Sequence, residues 1–244
     1  MQFKLIFLLV IFSGLNCSQK DIGDLPVAKR ITFKGQEFDT YVVDVRRHPI
    51  QMFWKDRNSQ IYGSLGNLKA ELGIEGKKLL FATNGGMFTP NQNPVGLYIE
   101  NNELHEILDT SRGNGNFYLK PNGVFSVDSE RAYVQETFGY TGISKFATQS
   151  GPMLVINGKL HPAFREGSKN SYLRSGVGLI SPHKVVFAIS REKCNFYDFG
   201  SLFKEHFKCK NALYLDGAIS KMYCPDLDRH EGGGSFGVII GITD

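Results

Sequence analysis

Asp216 closes an apolar run, Leu213-Tyr214-Leu215, and is followed at once by Gly217 and, after a short turn, by Ser220. A carboxylate at the end of a buried strand, on a turn that uses glycine's freedom, is a common way to hold an acid in a pocket. Such an acid can serve as a nucleophile or as a general base. The same residues also make an ordinary Asx-turn without chemistry, so this turn alone leaves both readings open. Three further segments have the same form, each a strand end running into small and polar residues. They are Asn84-Gly85-Gly86-Met87-Phe88, Gln149-Ser150-Gly151-Pro152-Met153 and Arg174-Ser175-Gly176-Val177-Gly178.

Strand patterns dominate the elements that must position these segments. Ile31-Thr32-Phe33 and Tyr41 to Val45 read as early strands, with Ile50 to Trp54 alternating beside them. Ser64 to Leu72 has helical spacing, with Ser64 as N-cap and Gly73 as its stop. Leu79 to Thr83 is a buried strand that runs into the Asn84 turn. Hairpins are expected around Asn101-Asn102, around Pro121-Asn122-Gly123 (pairing Phe117–Leu119 with Val124–Val127), and between Val177–Ile180 and Val185–Ser190. Ala147 to Ile156 is interrupted by Gly151-Pro152. Phe196 to Phe207 reads as a helix capped by Asn195, and Phe236 to Ile242 as a closing strand. The pattern predicts an α+β fold: one strand-rich domain over 25–244, with a mixed β-sheet and a few flanking helices.

The first residues read as a targeting segment. Lys4 supplies a positive start and Leu5 to Phe12 an apolar stretch too short to cross a bilayer. Cys17 stands just beyond it, after Asn16, where a Gly or Ala is usual. The layout of 1–16 resembles a lipoprotein signal peptide, which makes Cys17 the lipidated first residue and 17–24 its tether; plain secretion is the alternative. The charged residues after Cys17 resemble a surface-export signal of outer-membrane lipoproteins, and a solvated tether explains them equally well. The expected location is the cell envelope, with the membrane as partner through the lipid. The remaining cysteines, Cys194, Cys209 and Cys224, are odd in number; an oxidising compartment permits one disulfide, and Cys194 with Cys209 would bracket the second helix. The sequence leaves the connectivity open. The net charge is +4, with Lys and Arg scattered rather than striped, which argues against nucleic acid as a partner. Cys–His spacings form no zinc pattern, and no cofactor or metal is expected.

The four segments, with Phe117 to Gly123 and Asn195 to Phe199, occur in an order that resembles the phosphodiester glycosidase family over about residues 79–223. Each motif says little alone; the series is specific. The resemblance implies hydrolysis of a sugar-1-phosphodiester, or a phosphoglycan carrying one, at its glycosidic bond, releasing sugar and a phosphomonoester. Such a reaction passes through an oxocarbenium-like transition state served in the usual plan by two carboxyl groups. Asp216 is the first choice for nucleophile or base and Asp198 the second carboxylate, although an Asp in a first helical turn also stabilises the helix. Arg174 is the candidate to hold the departing phosphate in a bidentate contact, a surface ion pair being its bland alternative. Asn84 and Gln149 offer amides to sugar hydroxyls, and Gly85 and Gly86 let backbone N–H groups approach an anion. Ser150 and Ser220 bind phosphate or cap turns; Gly217 completes the Asp216 turn. A serine nucleophile is disfavoured, because His161 and His183 sit beside prolines. This chain departs from the family pattern beside Asp216, where Ala218 and Ile219 replace the usual glycines. The readings to set against catalysis are a surface lipoprotein that binds glycans or envelope polymers without turnover, and a phosphodiesterase cutting the P–O bond, for which no clustered His/Asp set is visible.

Overall fold

The protein is described from a computed structural model, which describes residues 25–142, 144–217 and 219–244. The signal segment, Cys17 and the tether lie outside the described residues, as does Ala218.

Three antiparallel sheets share one core. The first has seven strands, β1 (Val27–Phe33), β2 (Gln36–Asp44), β13 (Lys184–Ser190), β12 (Ser175–Leu179), β14 (Ala212–Tyr214), β10 (Met153–Ile156) and β11 (Lys159–Leu160), in that spatial order. The second comprises β16 (Arg229–His230), β15 (Met222–Cys224), β4 (Leu79–Asn84), β17 (Ile239–Thr243) and β3 (Gln51–Phe53). The third comprises β6 (Glu103–Glu106), β5 (Tyr98–Glu100), β9 (Phe146–Ser150), β7 (Gly123–Val127) and β8 (Ala132–Glu136). The fold is therefore strand-rich as expected, but the expected mixed sheet is replaced by antiparallel pairing in all three. Among the described residues α-helix is limited to α1 (Leu65–Ile74) and α2 (Phe196–Ser201), the latter continued by a wider turn over Leu202–His206.

Period-two alternation explains how one strand serves two layers. On β14 and just beyond it, Leu213 and Leu215 enter the central core with Phe81, Phe125, Phe187 and Met222, one or more from each sheet. Ala212 and Tyr214 point the other way, into a second cluster with Phe196, Phe199 and Phe203 of the α2 region. Helix α1 covers the second sheet through Leu65, Leu68 and Leu72, and its N-cap is Ser64, whose side chain accepts the Asn67 N–H.

The hairpin expected around Pro121-Asn122-Gly123 does not form. Asn116–Tyr118 is a 3-10 turn, tied by the Asn122 amide donating to the Phe117 carbonyl at 3.0 Å, and β7 pairs instead with β8 and β9. Cys194, Cys209 and Cys224 are all buried free thiols, so the Cys194–Cys209 bridge that the sequence left open is not formed. Burial pushes Cys194 up to about 11 and Cys209 up to about 12, values at which a thiol is a poor nucleophile at neutral pH. Among the described residues no helix is long and apolar enough to cross a membrane.

Candidate functional site

The chain passes between sheets at the segments singled out above. Gly151-Pro152 carries it from β9 of the third sheet to β10 of the first, and residues 215–221 carry it from β14 to β15 of the second. Asp216 sits on that second crossing, just past β14 and against the ends of β4 and β12.

Asn84 is the knot of this junction. It is buried, and its amide nitrogen donates to the Asp216 carbonyl at 2.8 Å and to the Ser175 hydroxyl at 3.1 Å. Its oxygen accepts the Lys221 N–H at 3.2 Å. Asn84 thus grips the Asp216 turn at both ends. The Asp216 N–H reaches the Gly85 carbonyl at 3.3 Å, and Ser220 bridges to Ser175 at 3.2 Å and to the Gly217 carbonyl at 3.3 Å. The main chain around Asp216 is therefore fixed from the ends of two strands, β4 and β12, while Asp216 itself is half-buried. A carboxylate held this way needs little reorganisation to act.

Several expected roles change. Both amide hydrogens of Asn84 are used inside the protein, so it is a structural tie rather than a ligand for sugar hydroxyls. Gln149, also fully buried, accepts the Leu97 and Asp109 N–H groups at 3.0 and 2.9 Å and donates to the Asp109 carbonyl and the Thr137 hydroxyl at 2.7 and 3.1 Å. It pins the segment 97–109 and has no donor left for a substrate. The N–H groups of Gly85 and Gly86 go to the Val238 carbonyl and the Thr148 hydroxyl, not toward an anion. Gly86 is glycine because a Cβ would run into the Gln149 carbonyl and the Thr148 hydroxyl. Ser150 is fully buried, and its hydroxyl has no hydrogen-bond partner among the described residues.

Arg174 changes most. It is 0 % exposed. Its Nε donates to the Cys194 carbonyl at 2.7 Å, and one terminal nitrogen donates to the Asn170 carbonyl and side-chain oxygen at 2.9 and 3.2 Å. Its guanidinium stacks 3.5 Å from the Phe196 ring centre, and burial lowers its pKa. It is neither a surface ion pair nor exposed to a phosphate. Tyr214 lies between Arg174, whose guanidinium is 5.5 Å from its ring centre, and the Asp216 turn, where Gly217 packs against its hydroxyl. Burial pushes the Tyr214 phenol up to about 12; the Arg174 charge opposes the rise and the nearby Asp216 carboxylate adds to it. Gly217 is glycine because a Cβ there would strike the Tyr214 hydroxyl.

Asp198 takes the helix-stabilising alternative. Its N–H donates to the Asn195 side chain at 2.9 Å, and its carboxylate accepts the Asn195 amide at 2.7 Å, a reciprocal cap on α2.

An ion cluster built on one buried carboxylate is tied to the strand that follows the crossing. Asp39 of β2 is fully buried and receives Arg30 at 2.8 Å, Arg191 at 3.1 Å and Arg229 at 2.8 Å. Arg229 also pairs with Glu231 at 2.8 Å, and Glu231 accepts the Met222 N–H at 2.7 Å, just after the Asp216 turn. The sequence reading missed Tyr214, Ser175, Asn170 and this cluster. Tyr214 had a signal: it alternates with Leu213 and Leu215 two residues before Asp216, and so lies on the same face of the strand end. Among the described residues no three His, Cys, Asp or Glu side chains gather to hold a metal ion.

The phosphodiester glycosidase family model matches residues 77–236. The chain belongs to that family. It is 36% identical over 185 residues to the Uncharacterized protein YigE of Escherichia coli (strain K12), covering 75% of this chain and 72% of that one. Its fold is similar to the zebrafish N-acetylglucosamine-1-phosphodiester alpha-N-acetylglucosaminidase catalytic domain auto-inhibited by its pro-peptide, with a TM-score of 0.56 and 14% identity over 89% of this chain and 82% of that one. A hypothetical protein from Synechocystis is similar at a TM-score of 0.55 and 12% identity, over 88% of this chain and 61% of that one. The matched region runs from β4 through the Asp216 crossing to the start of the closing strand.

Proposed function

We propose that the protein hydrolyses the glycosidic bond of a sugar-1-phosphodiester, with Asp216 as the carboxylate that faces the sugar. Family membership supports the reaction class. The observation that carries the assignment of Asp216 is its setting: a half-buried carboxylate on a main chain fixed by Asn84, Gly85 and Ser220. Arg174 and Tyr214 support this turn from behind. Because phosphate is a good leaving group, one carboxylate that stabilises the oxocarbenium-like transition state fits the chemistry better here than an acid–base pair. The phosphoglycan is met at the cell envelope, where a lipid on Cys17 would hold the enzyme.

The glycan-binding reading without turnover draws on one observation, the commitment of Asp198 and Arg174 to contacts within the protein. One experiment separates the readings. The protein is incubated with a panel of sugar-1-phosphodiesters in water enriched in oxygen-18. Label in the released sugar, abolished by Asp216→Asn in a folded protein, is the expected result. Label in the phosphate would mean P–O cleavage, and saturable binding with no turnover would mean a binding protein. Unchanged turnover by Asp216→Asn would remove Asp216 from the chemistry.

A further inference from the structure

A concave site lies at the opposite end of β12 from Ser175, five residues of strand or about 15 Å away. It is a cleft of about 470 Å³ formed where the start of β8, the β12–β13 hairpin and the segment before β14 meet. That volume falls within the usual range for small-ligand pockets, about 300–1,000 Å³. Its floor is apolar: Ala132, Leu179, Ile180 and Pro182 line it, and Ile180 is 37% exposed there. Arg131, Lys208 and Lys210 stand around that floor, with no Asp or Glu among the lining residues. Asp128 stands close enough to interact with Arg131, and its oxygens accept the Glu130 and Arg131 N–H groups and the Tyr133 hydroxyl.

The walls are held independently of any ligand. The Ala132 N–H donates to the Pro182 carbonyl at 2.9 Å, Leu179 N–H to the Asn211 carbonyl at 3.1 Å, and the Asn211 amide to the Val134 carbonyl at 2.9 Å. Three cations without an acidic liner, set round an apolar floor in a preformed cleft, fit one kind of molecule. We propose that this cleft binds a small amphiphile carrying a single anionic head and an apolar tail. The tail covers Leu179, Ile180 and Pro182; the head is held by Arg131, Lys208 and Lys210. Apolar contact supplies the affinity and the cations select the sign of the head.

The test is calorimetric titration of the full-length protein with octyl phosphate below its micelle concentration. Octyl glucoside supplies the same tail without charge, and inorganic phosphate the charge without a tail. The expected result is saturable binding of octyl phosphate, with both controls weaker by about tenfold or more. A variant with Arg131→Gln, Lys208→Asn and Lys210→Gln is expected to lose about tenfold in octyl phosphate affinity at an unchanged melting temperature, from three contacts each worth a modest exposed charge interaction. Asn is chosen because Lys208 has a positive φ of 56°, which Asn tolerates. Equal binding of octyl glucoside and octyl phosphate, or undiminished binding by a folded triple variant, overturns the proposal. So does binding to anionic vesicles with none to monomeric octyl phosphate, which would make this face a membrane-docking surface instead.

Discussion

Replacing Asn84 by Ala discriminates a structural tie from a substrate ligand. The side chain satisfies two main-chain groups of the crossing, the Asp216 carbonyl and the Lys221 N–H, at 2.8 and 3.2 Å. A buried polar group left unsatisfied costs about 1–3 kcal/mol. Both groups are partly buried, so water restores some of the loss, and the two together come to about 2–4 kcal/mol. That is a large share of a typical domain stability of about 5–15 kcal/mol. For a chain of this size each kcal/mol moves the melting temperature by about 2–4 °C, which gives a drop of about 5–15 °C. The assay is thermal melting of Asn84→Ala together with turnover of a sugar-1-phosphodiester well below the variant's transition. A lower melting temperature and a fall in kcat are expected, because the Asp216 carboxylate loses its fixed backbone. Asn84→Asp keeps the shape but turns a donor into an acceptor facing the Asp216 carbonyl, so it is expected to melt no higher than the alanine variant. Melting within about 2 °C of wild type, with the loss confined to KM, would refute the tie and restore Asn84 as a ligand.

Gly217→Ala puts a methyl group against the Tyr214 hydroxyl and the two ring carbons nearest it, a clash expected to cost about 1–3 kcal/mol; Tyr214→Leu removes all three atoms, so the double variant is expected to melt higher than the sum of the two singles, and strict additivity would deny the contact. Asp39 is pushed up by burial, but hydrogen bonds from Arg30 and Arg229 outweigh this and hold it below the usual carboxylate range. A depressed folded value means the stabilisation is present above the unfolded pKa of about 3.9 and is lost as pH falls through the folded value. Asp39→Asn is thus expected to lose about 1–3 kcal/mol at neutral pH, with the gap to wild type in urea titrations narrowing below about pH 4; a gap as wide at pH 3 counts against the ion cluster.

Elements whose signals are local were legible. Ser64 caps α1, Asn101-Asn102 turns a hairpin with φ of 51° and 69°, and β12–β13 pairs as its alternation implies. The order of the Gly-containing strand ends also carried the family. What misled was the step from a residue type to its partner. Asn84, Gln149 and Arg174 have the donors that a sugar or a phosphate wants, and those donors are spent on Asp216, Asp109 and Cys194, which lie 132, 40 and 20 residues away in the chain.

The sequence by itself determined the strand-rich composition, the turns, the family and Asp216 as the carboxylate worth testing, because each follows from short-range periodicity or from a motif read in order. Only the tertiary structure decided that the pairing is antiparallel in three sheets, that Arg174 is buried behind Tyr214, and that Asp198 caps its own helix. The physical reason is that hydrogen-bond capacity is a property of a residue, whereas its use depends on which distant strands bring a partner within about 3 Å.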